Sequence, residues 1–220
     1  GPTHHGYFYQ DLVTAVALVD LLLGRAESIT VDTKGFEADR FDDVNVAYLD
    51  KTRVRLQIKH TTTDRQLSKE TFSQDRRSLK LNKVLDSLLE DLAMFPQTMY
   101  RVVVRDQGPD DSLSVVLKPL EPSDRTADPL PGITTSKYRF DPAALRANRP
   151  WGELVKHLSE DDLSTACSRL VVDTGAPSST ISFAEPGPAE RALLRRVREE
   201  LGAGRTPNTD VPPEFVAHAL

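Results

Sequence analysis

The sequence predicts an α/β fold: a mixed central sheet that contains a β-hairpin and is flanked by helices. Three observations carry that expectation. Residues 43–49 and 53–61 alternate apolar and polar side chains around the polar Asp50-Lys51-Thr52, which is the pattern of a half-buried antiparallel hairpin. Leu79, Leu81, Val84, Leu85, Leu88, Leu89 and Leu92 recur at three- and four-residue spacing, giving residues 78–94 the wide apolar stripe of a helix packed on a core. Within residues 99–106, Val102-Val103-Val104 is a continuous apolar run, typical of a strand covered on both faces. Strand, helix and strand in this order make a βαβ crossover, which is right-handed in nearly all cases.

The remaining elements follow from spacing and punctuation. Residues 6–23 read as a helix, with Leu12, Ala15, Val16, Val19, Leu22 and Leu23 on one side and Gly24 as the stop. Residues 28–32 are a short β-branched strand, and the acidic 36–42 a loop. From Gln107 to Pro150 prolines interrupt the chain, so long loops with one short strand at 113–117 are expected. Residues 151–158, 160–170 and 190–201 read as helices, and 207–212 as a linker. These elements divide the chain into a core over 3–120, a helical and loop appendage over 121–205, and a linker or the start of a following domain over 206–220. Gly1-Pro2 reads as the remnant of a cleaved tag, and the chain as a fragment of something longer.

Composition narrows the class. Apolar residues at 39% and charged residues at 28% are those of a folding, soluble chain. The longest apolar stretch, Leu12 to Leu23, contains Thr14 and Asp20 and is shorter than the roughly 20 residues that span a bilayer, so no membrane partner is expected. A single cysteine, Cys167, excludes an internal disulfide framework and any cysteine-based zinc cluster, and makes a cytoplasmic location the default. The net charge is −5, but the segment from Asp50 to Lys83 holds ten basic residues against four acids and carries +6, leaving −11 elsewhere. Lys51, Arg53, Arg55, Arg65, Arg76 and Arg77 in this segment are the candidates for contact with a phosphate backbone; the alternative is an ordinary solvated surface.

The chemistry lies in the hairpin. Val44, Val46 and Tyr48 make one apolar face, and Val54, Leu56 and Ile58 another; both must meet the same core, so opposed residues have numbers with an even sum. A three-residue turn at Asp50-Lys51-Thr52 then places Asp43 opposite Lys59 and Asn45 opposite Gln57. Asp43, Gln57 and Lys59 share the polar face, whereas Asp42 projects to the apolar side. This grouping suits phosphodiester hydrolysis: Asp43 and the Gln57 side-chain oxygen offer hard ligands to Mg2+ or Mn2+, and Lys59 can stabilise developing negative charge. The alternative is a solvated face with a cross-strand Asp43–Lys59 ion pair.

Asp43, followed by Gln57-Ile58-Lys59 on the next strand, resembles the P-D…(D/E)-x-K signature of restriction-endonuclease-like nucleases, in the variant with glutamine for the second acid. With Gly6-Tyr7-Phe8-Tyr9-Gln10 and Phe41-Asp42-Asp43-Val44, residues 6–106 resemble more narrowly the double-stranded DNA endonuclease domain at the N-terminus of bacterial antiphage effectors, including those of cyclic-oligonucleotide signalling systems and NACHT-type ATPases. The resemblance implies a restriction-endonuclease-like fold, magnesium-dependent cleavage of double-stranded DNA, a C-terminal sensor or ATPase domain, and a homo-oligomer when active. It also points, in second rank, to Glu37 as a further acid, in a segment slightly longer than the family pattern, and to Gln10 on the first helix, which reads equally well as a helix-start polar residue. Two rivals stand beside it: a catalytically inactive nuclease-fold module for recruitment or oligomerisation, and the cleavage domain of a type IV restriction enzyme.

Overall fold

The computed structural model describes residues 14–15, 17–22, 24–59, 65–73, 79–120 and 136–175. Strands β1 (Ala26–Val31), β2 (Val44–Tyr48) and β3 (Arg53–Lys59) form an antiparallel meander. The β2–β3 turn sits one residue earlier than the sequence reading placed it. Asp50 Oδ1 accepts from both the Thr52 amide (2.9 Å) and the Thr52 hydroxyl (2.6 Å). Tyr48 N–H donates to the Thr52 carbonyl, and Lys51 takes a left-handed backbone at φ 70°. The three-residue loop is therefore Leu49-Asp50-Lys51, a type that commonly ends in a left-handed residue. Val44 pairs with Leu56 and Asn45 with Arg55, so Asp43 falls beside Gln57 and not Lys59, and Asn45 is not opposite Gln57. The even sum survives this two-residue shift, and so does the division of faces.

Helix α1 (Leu81–Met94) begins after Lys80, which is left-handed at φ 53°. It buries Leu81, Val84, Leu85 and Leu88, as the stripe requires, and returns the chain to β5 (Thr98–Val104), in which every residue is buried. A small parallel pair, β4 (Gln66–Leu67) with β6 (Gln107–Pro109), lies outside the main sheet. Two further strands, β8 (Ser136–Phe140) and β9 (Leu170–Thr174), and the short β7 (Leu117–Pro119) complete a seven-stranded sheet in the order β1-β2-β3-β5-β9-β8-β7. Its centre, β3-β5-β9, is parallel and both wings are antiparallel. The protein is α/β, with a mixed sheet between helices.

Several expectations for the second half are corrected. The strand placed at 113–117 is a short helix α2 (Asp111–Ser114), capped by Asp110 Oδ1 on the Leu113 amide at 3.0 Å, followed by β7. Asp141 caps α3 (Pro142–Ala147), where Pro142 lies in the first turn and no amide donor is needed. Residues 136–175 are not an appendage, because β8 and β9 belong to the central sheet. Helices α4 (Arg149–Val155) and α5 (Glu160–Arg169) bury Trp151, Val155, Leu163 and Ala166 in the same core as Leu85 and Val102. That core fills the α1 side of the sheet. On the other side Ala17, in the helical residues 17–22, meets Ala26, Val44, Val46, Leu56 and Val103. Across β5, β9 and β8 the buried Asp173 accepts from Arg101 Nε (2.7 Å) and Lys137 Nζ (2.8 Å), which holds its carboxyl below the usual range despite burial. No described helix is long and apolar enough to cross a membrane.

Candidate active site

Strand alternation sends Arg53, Arg55, Gln57 and Lys59 to the α1 side of the sheet, and Asp43 joins them at the start of β2. Asp43 Oδ2 accepts from Gln57 Nε2 and from the Ile58 amide, each at 2.5 Å. The Asp43 carbonyl accepts from the amide of Asp32, a residue with a left-handed backbone at φ 51°, and the Asp42 carbonyl accepts from the Thr33 amide at the same 3.1 Å. Three aspartates thus crowd the junction of β1 and β2. Burial pushes the Asp43 carboxyl up to about 7; the Ile58 amide and Gln57 oppose that rise, while the charges of Asp42 and Asp32 add to it. Burial also lowers the Lys59 ammonium from its ordinary value, against the pull of the Asp43 carboxylate. Asp43, Gln57 and Lys59 are therefore together, as expected, in one partly buried and electrostatically coupled group.

The arrangement differs in one respect: Gln57 turns an amide N–H, not its oxygen, toward Asp43. A shared ion would need the Gln57 amide rotated so that Oε1 faces the carboxylate. The donor types suit Mg2+ or Mn2+, which prefer hard oxygen ligands, and a cation would relieve the repulsion that Asp32 and Asp42 impose at Asp43. Among the described residues no three His, Cys, Asp or Glu side chains are placed to hold one ion. Asp43 and Gln57 could supply two oxygen donors to such an ion.

The other candidates fare unevenly. Glu37 is exposed in the loop before β2, and no contact among the described residues joins it to Asp43. The acid which that loop buries is Asp39. Gln10, Arg76 and Arg77 lie outside the described residues. Arg55 is only 1% exposed and is bound to Asp39 and Asp91, so it is unavailable to DNA. Arg53 is also largely enclosed: its Nε donates to Asn45 Oδ1 at 3.1 Å, and its guanidinium lies 4.0 Å over the Phe95 ring. Arg65 is half-exposed beside the buried Asp106, Nε to Oδ1 at 3.4 Å. Lys51 is exposed and pairs with Glu27, but the length of β3 separates it from Lys59 by about 20 Å. The +6 segment thus overstates the basic surface, because alternation alone cannot tell a solvated polar face from one covered by a helix.

The Asp39–Arg55–Asp91 group was not expected. Its one signal is Asp91, three residues after Leu88 and seven after Val84 on the buried stripe of α1, where a carboxylate needs a cationic partner. Neither a scan of protein-family models nor a search of curated proteins finds a match to this chain.

Proposed function

We propose that the chain is a metal-dependent endonuclease domain that hydrolyses phosphodiester bonds in double-stranded DNA. The observation that carries the reading is the convergence of the Asp43 carboxylate, the Gln57 amide and the Lys59 ammonium at adjacent ends of β2 and β3. Perturbed titratable groups clustered in this way favour a functional site over a surface ion pair. The order of elements adds support: a helical segment, a three-stranded antiparallel meander, a helix and a parallel strand, the mixed-sheet order read from the sequence alongside the restriction-endonuclease-like resemblance.

Asp43 and Gln57 would hold Mg2+ or Mn2+, which when bound neutralises the phosphodiester and lowers the pKa of water. The chain's own groups do the rest. The Ile58 amide fixes the Asp43 carboxylate, and Lys59 presents a partly desolvated ammonium to the non-bridging oxygen on which charge accumulates. The same reading makes the domain a cytoplasmic antiphage effector module, active when a sensor or ATPase domain assembles several copies on one duplex. Incubation of supercoiled plasmid with the purified protein is expected to yield nicked and linear DNA in Mg2+ or Mn2+ and none in EDTA. Intact plasmid at every protein concentration would sink the reading. The rival, an inactive nuclease-fold module, draws on the Gln57 N–H that occupies Asp43, and the same assay separates the two.

Asp42 is expected to be dispensable. Its charge raises the Asp43 carboxyl, so Asp42→Asn should keep most cleavage while the acid limb of the pH–rate profile, set by ionisation of Asp43 near 7, moves to lower pH. An unmoved limb, or loss of activity as complete as in Asp43→Asn, would refute this division of roles.

A further inference from the structure

We propose that the buried Arg55 is a positioning residue for Asp43, acting through the loop that delivers Asp43 to the sheet; the inference rests on the nuclease reading for its effect on rate. Arg55 lies on β3, two residues before Gln57, and is enclosed between α1 and the sheet. Its Nη1 donates to Asp91 Oδ1 on α1 at 3.0 Å, and its Nη2 binds Asp39 Oδ2 in the loop that runs from β1 to β2. Asp91 is held in turn by the Tyr100 hydroxyl on β5 at 2.6 Å. Asp39 organises the loop itself, with Oδ2 accepting from the Gly35 amide (2.8 Å) and Oδ1 from the Phe41 amide (3.0 Å). Phe41, fully buried, packs its ring 4.9 Å from that of Tyr100. The next residues are Asp42 and Asp43.

A loop that must present a carboxylate to one amide of β3 is thus tied to β3 itself, two residues away, by a planar fork that binds two carboxylates at once. A lysine cannot reproduce this, since its ammonium is a point charge on a flexible stem and does not span both acids in fixed directions. Burying such a group adds little stability compared with apolar packing, and its advantage lies in fixing one arrangement. The Asp39 carboxyl fits this account: burial would raise it, but the Gly35 and Phe41 amides and Arg55 outweigh burial and hold it below the ordinary carboxylate range.

The test compares Arg55→Lys, Asp39→Asn and Leu163→Ala in the full chain. Leu163, buried in α5, serves as a control for general destabilisation. Two readouts are needed: kcat and KM for plasmid cleavage, and the NMR resonance of the Ile58 amide, which reports its hydrogen bond to Asp43 whether or not the protein cuts DNA. Arg55→Lys and Asp39→Asn should lower kcat by about tenfold or more with KM little changed, because a small misplacement of a reacting group has a large kinetic cost. Both should shift the Ile58 amide, and Leu163→Ala should do neither. Asp39→Asn keeps one acceptor oxygen, enough for the Phe41 amide, and replaces the oxygen that serves Gly35 and Arg55 with an NH2 that cannot accept, so it cuts the same tie from the loop side and decides the question if Arg55→Lys does not fold. An Ile58 resonance as unperturbed in these variants as in Leu163→Ala would overturn the proposal. Absence of cleavage by the wild type would instead overturn the nuclease reading, leaving the Ile58 resonance to decide positioning.

Discussion

Asp43→Asn is expected to stop DNA cleavage and, at the same time, to make the protein more stable at pH 8. The Asp43 carboxyl is raised from 3.8 to about 7 in the fold, mainly by burial. A group with a raised folded pKa favours the folded state most at pH values below its unfolded pKa, and that contribution is lost as pH rises through the folded value. For Asp43 the window runs from pH 3.8 to about 7, and at pH 8 the ionised side chain costs on the order of 4 kcal/mol. Asparagine removes the charge and keeps an oxygen that can accept from the Ile58 amide and Gln57. Recovery of even 1 kcal/mol would raise the melting temperature by about 2–4 °C for a chain of this size. Melting curves at pH 5 and pH 8 check this. The gain should be largest at pH 8 and clearly smaller at pH 5, inside the window, where the folded Asp43 is protonated while the unfolded one is already ionised. Mg2+ should stabilise the wild type at pH 8 and not the variant. A variant less stable than wild type at pH 8, or one that still cuts, would contradict the assignment of Asp43.

Lys59→Ala should abolish cleavage with the fold retained. Lys59 is the last residue of β3, partly buried beside Asp43, and its side chain is not part of either apolar cluster. Loss of a cation that acts on the transition state costs at least about 3 kcal/mol, a rate loss of a hundredfold or more. The change should appear in kcat with melting temperature close to wild type. Removing Lys59 also withdraws a positive charge from Asp43, so the Asp43 carboxyl should titrate still higher. Wild-type rates in pure, folded Lys59→Ala protein would remove Lys59 from the site.

The grouping of the candidate site was legible because it needs only parity. Asp43, just before β2, and Gln57 and Lys59 on β3 are odd-numbered residues of two adjacent segments whose apolar faces must coincide, and no shift of the turn by whole pairs moves them to different faces. Which residue stands opposite which was not legible. It depends on where the turn closes, and the bonds from Thr52 to the Asp50 carboxylate, which accompany the Leu49-Asp50-Lys51 loop, have no counterpart in the alternation pattern. The basic character of Arg53 and Arg55 misled for a related reason, since a polar strand face reads as solvent-facing until a helix with an acid on its buried stripe is packed over it.

By itself the sequence determined the hairpin, the α1 stripe, the buried β5 and the grouping of one acid, one amide and one lysine, because each is a local pattern of period 2 or 3.6. The tertiary structure alone decided that Leu170–Thr174 leaves α5 without a Gly or Pro to mark the change and becomes the third parallel strand. It also decided that β8 and β7 extend the sheet where prolines suggested loops, and that Asp39, Arg55 and Asp91 meet. Strand order and buried charge pairs are long-range choices. They arise from what each segment finds when it packs, and residues 36 positions apart such as Arg55 and Asp91 carry no local pattern that announces the partner.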